Sequence, residues 1–189
     1  MPKKLSEKIK FTGRIFCIKD VFVRHGNGTE FSYEVMSAQG GSKGAMVAAV
    51  DELGRVVLVR EYFAGINRSE LCLPKGRVDE KESPVAAARR ELEEETGFRA
   101  KRFKLLGKYY LSPGYSDQLT YIYLATGLSK PANPLQGDEV EPLKVVMMPL
   151  SKAVALAKSG KISEARAVTG LLLAGQVIIG ANGKSKKRK

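Results

Sequence analysis

Apolar positions fall first into short extended runs and only later into helical spacing. Residues 11–24 and 30–37 are rich in β-branched and aromatic residues and flank His25-Gly26-Asn27-Gly28, a turn signal that predicts a hairpin. AMVAAV and RVVLVREYF flank Asp51-Glu52-Leu53-Gly54 in the same manner and predict a second pair of strands. Ser83 then Pro84 have the form of an N-cap and a first helical residue. The run of Ala, Leu, Arg and Glu that follows reaches Thr96 before Gly97, so it predicts one helix of about three to four turns. KLLGKYYLS, a Pro113-Gly114 turn, QLTYIYLAT and LKVVMMPL predict more strands, and residues 150–159 and 162–179 carry Leu, Ala, Val and Ile at helical spacing. Strands, a central helix, more strands and C-terminal helices predict an α+β or α/β sandwich.

The 189 residues, 43% hydrophobic and 28% charged, suit one globular domain, expected over residues 11–180. No stretch reaches the roughly 18 apolar residues of a membrane span and no secretory signal opens the chain, so a cytoplasmic protein is expected. Cys17 and Cys72 form no C-x-x-C and have only His25 as an imidazole partner, which argues for two reduced thiols and against a disulfide framework or zinc site. Of the formal net charge of +12, residues 1–10 carry +3 and residues 184–189 carry +5, leaving +4 between them. The excess therefore predicts basic tails at 1–10 and 181–189 more than a basic binding face. Nucleic acid is not the expected partner, although such tails leave a weak attraction to RNA or anionic lipid open.

ARRELEEETGF, residues 88–98, is the unusual stretch. At about 100° per residue, Glu91, Glu94 and Glu95 share a sector of about 100°, and Glu93 points roughly opposite. Like charges at these spacings repel, and carboxylates in a last turn oppose the helix dipole. A hard divalent cation such as Mg²⁺ or Mn²⁺ reverses both effects, because it takes oxygen ligands from carboxylates and keeps positions for water and phosphate. A solvated charged face with Arg89 and Arg90 as neighbours is the alternative for the glutamates alone.

The residues around them carry a resemblance. From Gly76, GRVDEKESPVAAARRELEEETGF is similar to the Nudix box, G-x5-E-x7-R-E-U-x-E-E-x-G-U with U apolar, at Gly76, Glu82, Arg90, Glu91, Leu92, Glu94, Glu95, Gly97 and Phe98. The resemblance implies an α/β Nudix fold, an α/β/α sandwich with a mixed β-sheet, and hydrolysis of a nucleoside diphosphate linked to another group. It also implies two or three Mg²⁺ or Mn²⁺ ions held by Glu91, Glu94 and Glu95, with Glu82 looser or water-mediated and Arg90 orienting a box glutamate. Gly76 would let backbone approach metal or phosphate, with the carbonyl of Lys75 as a further ligand. Leu92 and Phe98 read more simply as core anchors.

Pro113 in LSPGYSD and the segment VVLVREYFAGINRSELCLPKG resemble the ADP-ribose pyrophosphatase subfamily, which also includes ADP-compounds and nucleoside-diphosphate-sugar hydrolases. That implies a nucleotide-sugar substrate split into a nucleoside monophosphate and a sugar phosphate. It also implies a homodimer, with residues 11–37 as an N-terminal β arm that either exchanges between subunits or forms an ordinary edge hairpin. A general base is implied in the GDEVEP loop, Glu139 first and Glu141 second. Arg60 is implied to touch the diphosphate or terminal ribose, and Tyr62 and Tyr115 either stack on a base or sugar or pack at the rim. Pro74-Lys75-Gly76 departs from the subfamily's P-A-G and also occurs in diadenosine-polyphosphate hydrolases, so Lys75 either meets an extra phosphate charge or is an exposed strand-end lysine. Hydrolysis of diadenosine polyphosphates, NADH or an RNA 5′ end, and nucleotide binding without cleavage, are the competing functions.

Overall fold

A computed structural model describes residues 1–137 and 141–186, without the side chains of 181–186. In chain order the strands are β1 (Lys3–Thr12), β2 (Phe16–Arg24), β3 (Glu30–Ala38), β4 (Lys43–Val50), β5 (Arg55–Phe63), β6 (Arg68–Cys72), β7 (Lys75–Arg77), β8 (Arg99–Tyr110), β9 (Leu119–Ser129) and β10 (Lys144–Pro149). The helices are α1 (Pro84–Thr96), α2 (Leu150–Lys158) and α3 (Ala165–Lys186).

β1, β2 and β3 form a separate antiparallel sheet, and the turn between β2 and β3 closes with the N–H of Gly28 donating to the carbonyl of His25 at 2.9 Å. The first ten residues were expected as a basic tail, but most of them build β1. Leu5, Ile9 and Phe11 stand at alternate positions among the lysines, a strand period that the lysine excess conceals. Their lysines are also engaged: Lys4 pairs with Glu7 at 2.6 Å, and Lys10 with Glu34 at 3.0 Å and Asp20 at 3.5 Å. The apolar run over 11–24 is two strands rather than one, separated where the N–H of Gly13 meets the carbonyl of Phe16 at 2.9 Å.

The second sheet runs β10-β5-β4-β9-β8, with β6 on β5 and β7 on β4. β4 pairs parallel with β9, from Lys43 opposite Leu119 to Val50 opposite Thr126, and antiparallel with β5 and β7, so the sheet is mixed. β4 is apolar on both faces. Ala45, Val47 and Ala49 pack with Ala87, Ala88 and Leu92 of α1, while Met46, Ala48 and Val50 share the opposite core with α2 and α3. A strand covered on both sides reads as an unbroken apolar run, which AMVAAV does. The expected α/β/α sandwich with its mixed sheet and N-terminal β arm is the architecture found.

α3 continues through Lys186, so residues 181–186 extend a helix where a tail was expected. Lys187, Arg188 and Lys189 lie outside the described residues. Among the described residues, no helix is long and apolar enough to cross a membrane. Neither cysteine is in a disulfide; Cys72 is buried and Cys17 half-buried.

Candidate active site

α1 presents the glutamates because its ends are fixed by local sequence. The Ser83 hydroxyl accepts the N–H of Ala86 at 3.3 Å, Pro84 opens the first turn, and Gly97, at φ 70°, closes the helix with its N–H on the carbonyl of Glu93 at 2.8 Å. Leu92 is fully buried against β4, which fixes the rotation of the helix about its axis. Glu91, Glu94 and Glu95 then border one cavity, while Glu93 points elsewhere and binds Arg99 at 2.7 and 2.8 Å.

Two devices hold the carboxylates. Arg90 donates to both oxygens of Glu82 at 3.2 and 3.0 Å, to Glu91 at 2.7 Å and to Glu94 at 2.9 Å, and its Nη2 reaches the carbonyl of Arg77 at 2.9 Å. Hydrogen bonding to Arg90 holds the Glu82 carboxyl below the usual range, and Glu82 and its fellow acceptors hold the Arg90 guanidinium above its own. The second device is Lys75 on β7, whose backbone N–H donates to Glu95 Oε2 at 3.0 Å. Burial, reinforced by the charges of Glu91 and Glu61 and opposed by Lys75, pushes the Glu95 carboxyl up to about 8.

Glu61 on β5 joins this group from outside the box. Its Oε2 accepts the Lys75 ammonium and the Cys72 thiol, the latter at 3.3 Å. The exposed strand-end lysine weighed from sequence is therefore corrected: the Lys75 side chain is 9% exposed, folded against Glu61 and 5.2 Å from the Phe63 ring centre. Burial pushes the Cys72 thiol well above its usual range, so it acts here as a neutral donor.

Two cavities meet at Glu61, Lys75, Gly76 and Arg77. The larger, of about 660 Å³, is bordered by the α1 glutamates, Asp79, Arg90, Gln136 and Gly137. The smaller, of about 360 Å³, is bordered by Ser42, Lys43, Phe63, Gln118, Thr120 and Arg166, among others. Both volumes are of the order of small-molecule sites, which are roughly 300–1,000 Å³. One end is rich in carboxylates, and the other in lysine, arginine and hydroxyl groups.

The structure thus brings together Glu91, Glu94, Glu95, Arg90, Lys75 and Gly76, with Glu82 behind them on Arg90. Arg60 is exposed on β5, next in sequence to Glu61 and hence on the other face of the strand, and it borders neither cavity. Pro113 and Tyr115 are exposed in the turn between β8 and β9 and also border neither. Tyr62 is exposed, with its hydroxyl on Asn67 at 2.7 Å. Glu141 is exposed, and Glu139 lies outside the described residues. Glu61, Lys43, Arg77 and Arg166 are cleft residues not singled out from sequence. Arg166 carried a usable signal, since Ser163-Glu164 marks a helix start and places it in the first turn.

As placed, these carboxylates are held by protein cations and N–H groups. Among the described residues, no three or more His, Cys, Asp or Glu side chains are arranged to hold an ion. The donors nonetheless suit a hard divalent cation: Glu61, Glu91, Glu94 and Glu95 border one cavity and offer only carboxylate oxygen. Burial, the main cause of the raised Glu95, leaves its ionised form short of solvation, which a bound cation would make up.

A family model described as the NUDIX domain matches residues 42–169. The chain is 34% identical over 172 residues to the ADP compounds hydrolase NudE of Escherichia coli (strain K12), covering 91% of this chain and 90% of that protein. It is 29% identical over 164 residues to the ADP-ribose pyrophosphatase of Bacillus subtilis (strain 168), covering 87% of each. A crystal structure of an ADP compounds hydrolase superposes with a TM-score of 0.83 at 32% identity, covering 95% of both chains.

Proposed function

We propose, from the premise that this chain belongs to the Nudix hydrolase family and is one of its pyrophosphatases, that its substrates are ADP-ribose and related nucleoside diphosphate sugars. Hydrolysis would give a nucleoside monophosphate and a sugar phosphate. The observation that carries this reading is the junction of the two cavities at Glu61, Lys75, Gly76 and Arg77. It sets a carboxylate-rich compartment directly beside one bordered by Lys43, Arg77 and Arg166, an arrangement suited to a linked diphosphate with polar groups at both ends.

The Nudix family generally uses divalent metals, and here Mg²⁺ or Mn²⁺, two or three ions, would be held by Glu91, Glu94 and Glu95 with the Lys75 carbonyl. When bound, such ions neutralise phosphate charge and lower the pKa of a coordinated water. The chain's own groups supply the rest. Arg90 keeps Glu91 and Glu94 in fixed rotamers, so no reorganisation is needed when substrate arrives. The base that takes the proton from the attacking water is assigned to Glu139, with Glu141 as the second candidate. What supports this is that Gln136 and Gly137, which shortly precede Glu139 in the sequence, border the larger cavity.

The active form is proposed to be a cytoplasmic homodimer. Every residue of β1 is exposed, and Phe31 and Tyr33 on β3, opposite Val23 and Val21 of β2, are 58% and 39% exposed. A small sheet without a covering layer is marginal alone, and a second copy would cover it. Light scattering on the wild type and on Phe31→Ser tests this, with a wild-type monomer overturning it.

The substrate is tested by kcat/KM for ADP-ribose, GDP-mannose, NADH, a diadenosine polyphosphate and a triphosphorylated RNA 5′ end. ADP-ribose or another sugar nucleotide should lead. A clear preference for the dinucleotide or the RNA overturns the assignment.

A further inference from the structure

Lys75 serves two carboxylates from one position. Its backbone N–H fixes Glu95 of α1, and its ammonium pairs with Glu61 of β5. Both acceptors border the larger cavity, so this pair lies within the compartment assigned to divalent ions. The ammonium is nearly enclosed, with 9% of its side chain exposed, the Phe63 ring on one side and the Cys72 thiol on the same Glu61 oxygen. Holding a lysine in so enclosed a place costs desolvation and side-chain entropy, which an incidental surface pair would not repay. Glu61 therefore faces the cleft already neutralised by a covalently attached positive charge.

We propose that Lys75 acts as a built-in monovalent cation that keeps Glu61 out of the divalent-ion set, so that the cleft takes up one ion fewer than its carboxylates would otherwise allow. A divalent ion approaching Glu61 must either displace a donor from Oε2 or bind Oε1, and in both cases it sits near a like charge, which works against it. Glu91 and Glu94 are held instead by Arg90, and Glu95 by the Lys75 N–H, so the ammonium's own hydrogen bond is spent on Glu61. Lys75 is in this sense a positioning residue for the metal site. The inference rests on the metal-dependent reading of the cleft.

The test counts Mn²⁺ bound per chain without substrate, by electron paramagnetic resonance of free Mn²⁺ across a titration. Lys75→Met should bind one more equivalent than wild type, and Lys75→Met combined with Glu61→Gln should return to the wild-type number. Glu61→Gln alone should match wild type, and it keeps the proposal testable if Lys75→Met fails to fold. An unchanged count in a folded Lys75→Met, or a lower count in Glu61→Gln, overturns the proposal while leaving the metal-dependent reading intact. A wild type that binds no Mn²⁺ overturns that reading and this inference together.

Discussion

The carboxylate of Glu91 occupies the place that a β-carbon on residue 76 would take. Gly76 is thus required by space, since its backbone is not among those with positive φ. Strand β7 and helix α1 approach this closely because Arg77 and Gly76 pair with Gly44 and Ala45 of β4 while Leu92 packs against the same strand. The first and the eighth-from-last residues of the box are therefore one contact in space.

Gly76→Ala is expected to drive Glu91 off its present rotamer or to push β7 from β4. Overpacking of this kind costs about 1–3 kcal/mol, so the melting temperature should fall measurably. Activity should fall further than stability, because the displaced group is a metal-ligand candidate held by Arg90. Thermal melts alongside kcat check both, and wild-type kcat in a folded Gly76→Ala would show that the position of Glu91 is immaterial.

Glu95 gives the site a pH dependence whose sign can be worked out. Its carboxyl stands near 8 in the fold against 4.5 as its ordinary value, so the folded chain keeps a proton that the unfolded chain loses. That contribution to stability is fully present below about 4.5 and is lost as pH rises through about 8. In chelator, the melting temperature of the wild type should decline across this range relative to Glu95→Gln, which has no such proton. Divalent ions bind the ionised form and expel the proton, so the rise in melting temperature on adding Mn²⁺ should grow with pH. Glu95→Gln should lose that rise and about 100-fold or more of kcat, since ligand loss forfeits several kcal/mol of charge stabilisation. An Mn²⁺ effect independent of pH would remove Glu95 from the ligand set.

Arg90→Lys separates charge from shape. The guanidinium serves Glu82, Glu91, Glu94 and the Arg77 carbonyl at once through a planar fork, and an ammonium cannot reach all four in that geometry. The variant should fold, keep the net charge and lose much of kcat, with the Glu82 carboxyl relaxing upward toward its usual range. Turnover against pH, together with a melt, checks this. Full activity would mean that charge alone suffices.

How far the sequence disclosed this site depended on how local each signal was. Helix α1 was legible to the residue, because Ser83, Pro84 and Gly97 mark its ends chemically, and the face shared by Glu91, Glu94 and Glu95 follows from helical geometry. β6 and β7 were not, since Arg68–Cys72 mixes charge with apolar residues and Lys75–Arg77 is too short to show a period. β5 shows the harder limit. Val56 to Val59 is apolar on both faces, so alternation could not tell whether Arg60 or Glu61 turns into the cleft, and the subfamily resemblance favoured Arg60. Only the pairing of β5 with β6, which sets Val59 opposite Cys72, puts Glu61 within reach of Lys75. Lys75 was read for a carbonyl on metal and an ammonium on phosphate or at the surface, while the structure engages its N–H with Glu95 and its ammonium with Glu61.

Glu93, the one glutamate of the run turned from the cleft, has a different task. It is nearly buried, and one carboxylate binds Arg99 at the start of β8 and accepts the N–H of Leu135 at 3.0 Å. Hydrogen bonding to Arg99 holds its carboxyl below the usual range. Leu135 immediately precedes Gln136 and Gly137 at the cavity edge, so Glu93 ties the end of α1 to the segment that leads into Glu139. Glu93→Gln should therefore leave Mn²⁺ affinity near wild type, because none of its partners touches the metal face. It should lower the melting temperature, and kcat should drop as the loop with the candidate base loses its anchor. Mn²⁺ titration and turnover on the same preparation distinguish this from a metal defect: if affinity and kcat fall in proportion, Glu93 acts through α1 itself and not through the loop.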